Sequence, residues 1–169
     1  MSFSLARIAA FALAGVFAMT AHAQNPPAAP PAPPLPYGAP IGVDVAKKAA
    51  AAALAEAKKN GWFMAIAVVD ISGTLVYFEK MDNTQTGSVN ISIEKAKTSA
   101  MFKRPTKAFQ DGLAAGGAGL RILGLHGATP VEGGVPIIVN GQIIGAIGVS
   151  GAASDQDAVC ATAGANAVK

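Results

Sequence analysis

The chain has 169 residues, 51% of them hydrophobic, which is enough apolar material for one buried core without covalent staples. Its formal net charge of +3 is too slight to argue for a nucleic-acid partner. A single cysteine, Cys160, rules out an internal disulfide.

The first residues read as an export signal. Arg7 supplies a positive start, Ile8 to Met19 form a short apolar run, and Ala21–His22–Ala23 is a small-x-small cleavage site. The run is shorter than the roughly 20 residues a bilayer span needs. Residues 1–23 are therefore expected to be a signal peptide cut after Ala23. That places the protein in the periplasm or outside the cell, with no membrane span left. Residues 24–40, "QNPPAAPPAPPLPYGAP", are a proline-rich linker, too dense in proline for helix or central strand. The folded domain is expected over residues 41–169.

In that domain "IGVDVAKKAAAAALAEAKKNG" predicts a helix, with Asp44 as N-cap or first-turn acid and Asn60–Gly61 as its stop. "WFMAIAVVD", Trp62 to Asp70, is continuously apolar and predicts a central strand covered on both faces. A turn at Gly73 returns the chain as "LVYFEKM", the second strand of a hairpin. Ser88 to Arg104 has helical spacing, Pro105 breaks it, and "TKAFQDGLA" predicts a short second helix. "LRILGLHGATPVEGG" is irregular or a short edge strand. "VPIIV" and "QIIGAIGVS" flank Asn140–Gly141, the pair a type I′ hairpin favours. Ser154 with Asp157 three residues on resembles a capping box opening a last helix. Asp155 and Asp157, two apart and pointing away from each other on a helix, read as N-terminal charge complementing that helix's dipole and not as a paired acid and base. The order predicts an α+β fold: an antiparallel sheet with packed helices, a sandwich of the profilin or PAS kind. Gly145 and Gly148 then sit inside a strand, where another backbone or a flat ligand comes close.

Conventional catalytic patterns do not emerge. "GAIGVSG" has the wrong glycine spacing for a dinucleotide fingerprint, and no P-loop is present. A Ser150–His126–Asp triad can be written down but lacks the strained nucleophile elbow. Lys97, Lys103, Arg104 and Lys107 cluster around Pro105, either as a solvated face or as partners for carboxylates at the rim of an apolar pocket.

Three blocks resemble a known family. "VVDISGTLVYFEKMD" is similar to V-V-D-x-x-G-x-L-V-x-x-x-R-M-D, and "EKAKTSAMFKRPT" to K-A-x-T-A-x-x-F-x-x-P-T. "GGVPIIVNGQIIGAIGVSGAASDQDAVCATAG" resembles a third signature containing G-A-I-G-V-S-G followed by a single spaced Asp. The family is the GlcG/HbpS-type haem-binding family. Lys80 stands where it usually has Arg, which loses the bidentate fork, and Ala152–Ala153 where a second glycine is common.

The resemblance implies a domain that forms homo-oligomers and binds b-type haem, in some members degrading it or reporting on it. It also admits an envelope or sensor protein partner, or an accessory role in the metabolism of small oxidised acids. Iron takes His, Met, Cys or Tyr as ligand. Once the signal is removed His126 is the only imidazole, so it is the leading metal ligand, with Met81 in reserve and Met101 or Tyr77 behind it; Met64 reads as packing. Lys103, Arg104 and Lys107 are the expected propionate partners. Thr106 contacts the ligand or caps the following helix.

Overall fold

The structure is a computed structural model and describes residues 33–168; the expected signal peptide and the first part of the linker lie outside them. Its elements are α1 (Val43–Asn60), β1 (Ala65–Asp70), β2 (Leu75–Lys80), α2 (Ser88–Met101), α3 (Lys107–Ala114), a 3-10 helix (Gly117–Gly124), β3 (Gly134–Val139), β4 (Gln142–Ser150) and α4 (Ser154–Asn166). The strands form one antiparallel sheet in the order β2-β1-β4-β3. Helices α1 and α4 cover one face and α2 the other. The α+β fold expected from the element order is the one observed.

Side chains alternate across a strand, so β1 and β4 divide their residues between two unlike layers. Ile66, Val68, Ile147 and Val149 meet the alanines of α1 and Cys160 and Ala161 of α4. On the other face, Ala67, Val69 and Ala146 meet Ala96 and Ala100 of α2. The α2 side is built from small residues because the helix backbone lies almost on the sheet. A Cβ at Gly148 would run into the Ser92 carbonyl oxygen and the Ala96 amide. This is why glycine occupies the middle of a fully buried strand.

The β3–β4 turn has φ of 50° at Asn140 and 73° at Gly141, the two positive values a type I′ turn requires. Gly61 ends α1 at φ 70°, its N–H bonded to the Ala57 and Lys58 carbonyls. At the other end Gly42 is the N-cap, which makes Asp44 a first-turn acid.

Four details differ from expectation. Trp62–Met64 precede β1 as extended chain, although Met64 and Met81 still pair, the Met81 N–H donating to the Met64 carbonyl at 3.0 Å. Helix α2 stops at Met101 instead of Arg104, because Pro105 has no N–H to offer the Met101 carbonyl and disfavours helix at the residue before it. The segment after α3 is a 3-10 helix, not an edge strand; Gly112 and Gly119 let it press against α3, since a Cβ on Gly119 would overlap the Gly112 carbonyl. Finally, Ser154 is the first residue of α4, and Gln156 supplies the N-terminal cap contact, accepting from the Ala153 N–H at 3.2 Å.

Asp157 is thereby released from the capping role and turns inward. Both aspartates stand in the first turn of α4 as expected, but whereas Asp155 is exposed, Asp157 is 2% exposed. Its Oδ2 accepts from Lys95 Nζ at 2.7 Å and its Oδ1 from the Ala152 N–H at 3.1 Å. Lys95 also donates to the Val149 carbonyl at 3.1 Å and is 1% exposed. One buried ion pair thus ties α2 to α4 past the end of β4.

Candidate functional site

The break between α2 and α3 organises the most ligand-like surface among the described residues. Lys103 takes φ 55°, and the chain turns sharply before Pro105 and re-enters helix at Lys107. This puts Arg104 and the α3 face of Ala108 and Phe109 opposite Arg121, Ile122, Gly124 and Leu125 of the 3-10 segment. Together they line an open cleft of about 370 Å³, within the size range of small-molecule pockets. The Arg104 guanidinium lies 5.5 Å from the Phe109 ring centre, and its Nε donates to the Phe102 carbonyl at 3.1 Å. Phe102 meets Phe109 edge to face at 5.4 Å. Arg121 is fixed by a 2.7 Å bond from its Nε to the Ala118 carbonyl. Apolar walls carrying two guanidiniums suit a flat apolar ligand with anionic groups at its edge.

His126 directly follows Leu125 of the cleft wall and is exposed. The loop bearing it is anchored by Thr98, whose Oγ1 donates to the Gly127 carbonyl at 3.0 Å and accepts from the Thr129 N–H at 2.9 Å. The backbone of the His126 loop is thus tethered next to the cleft wall.

The other expected site residues are dispersed. Lys103 stacks on the Tyr37 ring at 4.0 Å and borders a separate groove along β3, of about 400 Å³, lined largely by aliphatic side chains. Lys107 is exposed and pairs with Asp111 at 2.8 Å, a hydrogen bond that holds its ammonium above the usual pKa. Thr106 is fully buried, and neither expected role fits it. Its Oγ1 accepts from the Gly134 N–H at 2.9 Å, pinning the helix break to β3 without capping α3. Met101 is half-exposed beside Gly73 of the β1–β2 turn. Met81 lines a third groove with Leu54, Lys58 and Phe63, and its Sδ accepts from the Met64 N–H at 3.4 Å. Tyr77 donates to Glu79 at 3.0 Å, which raises its phenol pKa. Met64 is wholly buried, as packing demands. Burial, with the charges of Glu56 and Asp157, pushes the Cys160 thiol up to about 11, far from a thiolate ligand.

Arg121 and the apolar 3-10 segment are not evident from the sequence, where "LRILGL" reads as irregular or strand. The available signal was Arg121 following the glycine run Gly116–Gly119, with apolar neighbours on either side.

A family profile described as "Haem degrading protein HbpS-like" matches residues 41–166. The chain belongs to the HbpS-like family. It is 43% identical over 100 residues to Protein GlcG of Escherichia coli K12, a match spanning 59% of this chain and 73% of that protein. It is 34% identical over 123 residues to a 15.0 kDa protein from the dhaT–dhaS intergenic region of Citrobacter freundii, spanning 72% and 87%. Among solved structures, a double mutant of Streptomyces reticuli HbpS shares 30% identity at a TM-score of 0.72, covering 85% of this chain and 99% of that one. A PduOC–heme complex shares 22% identity at a TM-score of 0.69, covering 77% and 96%, a likeness of fold alone. The HbpS-like fold thus extends over the whole sheet and the helices on both faces.

Proposed function

We propose that this chain is an exported haem-binding protein and that the α3 cleft is its haem site. The observation that carries the reading is the cleft itself, with Arg104 and Arg121 on apolar walls and the His126 loop at its edge. Membership of a family described as haem-degrading supports the choice of ligand. Phe109, Ala108, Ile122 and Leu125 would contact the macrocycle, and the two guanidiniums would hold the propionates by charge-assisted bonds. His126 would ligate the iron. Bound haem would supply an iron centre for sensing, storage or turnover; the residues of the cleft would bind and orient it.

Titration with hemin tests this. A saturable Soret shift is expected, and His126→Ala is expected to move the band and weaken binding. No saturable binding by the wild type would overturn the reading; an unchanged band in His126→Ala would overturn the α3 cleft as the site and pass the ligand role to Met81, Met101 or Tyr77, which lie elsewhere.

Export and self-association belong to the same proposal. Ala46, Ala49, Ala50, Ala53 and Ala57 of α1 are used internally, against α4 and the sheet, while Ala51 and Ala55 remain exposed. Leu120, Leu123 and Val131 are the exposed apolar side chains beside the cleft, with Leu123 71% exposed. Native mass spectrometry of envelope-extracted protein should show a chain starting at Gln24 and a mass that is a multiple of it. A monomer, or a chain retaining Met1, would contradict the respective claim.

A further inference from the structure

We propose that Tyr37 is a positioning residue for the α3 cleft, acting as a latch on the end of α2; this rests on the haem reading of that cleft. Tyr37 lies in the proline-rich segment ahead of the domain, yet Pro36 to Ile41 run alongside β4. The Ile143 N–H donates to the Pro36 carbonyl at 2.9 Å, the Gly38 N–H to the Ile143 carbonyl at 2.9 Å, and the Ile41 N–H to the Ile144 carbonyl at 2.8 Å. This strap delivers the Tyr37 hydroxyl to the C-terminus of α2. There it donates to the Ala100 carbonyl at 2.8 Å and lies 3.2 Å from that of Met101.

Those carbonyls lack ordinary helical partners. The donor for Met101 would be the N–H of residue 105, and residue 105 is proline. The donor for Ala100 would be Arg104, beyond the positive φ of Lys103 that ends the helix. The Tyr37 hydroxyl supplies the donor that Ala100 lacks and faces, at longer range, the Met101 carbonyl that Pro105 leaves open. Its ring meanwhile carries the Lys103 ammonium at 4.0 Å, which places positive charge at the negative end of the helix. Partial burial raises the phenol pKa, so the donor is present across the physiological range.

From this capped end the chain runs directly into the cleft. The Phe102 carbonyl receives Arg104 Nε, and Arg104 covers Phe109. A loosened α2 end would free Arg104 from the orientation the cleft needs. The strap therefore makes ligand affinity depend on a residue outside the family-matched span of 41–166. It also connects the cleft physically to the tether.

The test compares purified wild-type protein with Tyr37→Phe, which removes only the hydroxyl, and Tyr37→Leu, which also removes the ring beneath Lys103. Amide hydrogen exchange without hemin and hemin affinity are both read well below the unfolding temperature. In Tyr37→Phe, exchange over residues 98–109 should quicken while β1 stays protected, and hemin should bind about two- to ten-fold more weakly. Tyr37→Leu should exceed it on both counts. Unchanged exchange overturns the latch. Faster exchange with unchanged hemin affinity overturns the positioning role. Absence of hemin binding in the wild type instead overturns the haem reading and the positioning role with it, while exchange separately decides the latch.

Discussion

Lys95→Met is expected to lower stability by about 3–5 kcal/mol, the effect of stripping one partner from a buried ion pair. Methionine keeps the volume of the aliphatic stem, so the loss reports the charge. Without the ammonium, Asp157 remains under the Ala152 amide at the base of α4, where burial already raises its pKa against the pull of Lys95. The cost is a large part of the roughly 5–15 kcal/mol that holds a domain of this size. In thermal unfolding it should appear as a midpoint about 10–20 °C lower. The double variant Lys95→Met/Asp157→Leu should recover most of it, since an apolar pair can replace a buried ionic one at little or no cost. A single variant melting with the wild type would mean that the pair contributes nothing to the junction of α2, β4 and α4.

Gly148→Ala is the second large effect. Ala is ordinarily a benign exchange for a strand glycine, and at an unstrained site reducing the freedom of the unfolded chain even favours it. Here the new methyl meets the Ser92 carbonyl and the Ala96 amide, both backbone, so no rotamer change relieves the clash. Either α2 lifts off the sheet or β4 bends, and overpacking of this kind costs about 1–3 kcal/mol or more. Gly87→Ala is the matched control: it has open space and helical dihedrals, and should be neutral or slightly stabilising. Equal denaturant midpoints for the two variants would show that α2 does not lie on the sheet as closely as described.

These two sites mark the limits of reading the fold from the chain. Hairpin β3–β4 was legible, to within a residue at the start of β3, because Asn140–Gly141 dictates the turn and apolar runs flank it. The burial of β1 was legible because six consecutive residues, Ala65 to Asp70, leave little polar surface. What local pattern cannot express is a charge that goes inside. Lys95 and Asp157 each resemble solvent-facing helix residues, and only the fold reveals partners 62 positions apart. Both lie within the blocks that carried the family resemblance, yet their pairing was not drawn from it.

The candidate site was legible in part. Arg104 and the His126 loop come to the same side of α3, whereas Lys103 and Thr106 are engaged elsewhere, by Tyr37 and by Gly134. Lys103, Arg104 and Thr106 at one helix break go to three different places, and a sequence cluster does not become a spatial one. Tyr37 shows the converse. A residue assigned to a linker becomes part of the fold because a proline far along the chain leaves a carbonyl in need of a donor.

The most direct measurement is a crystal structure of the hemin-treated protein with the iron located by anomalous scattering. The account predicts iron in the cleft between α3 and the 3-10 helix, ligated by His126, with Arg104 and Arg121 on the propionates. Iron in the groove beside Met81, or along β3 at Lys103, would contradict it.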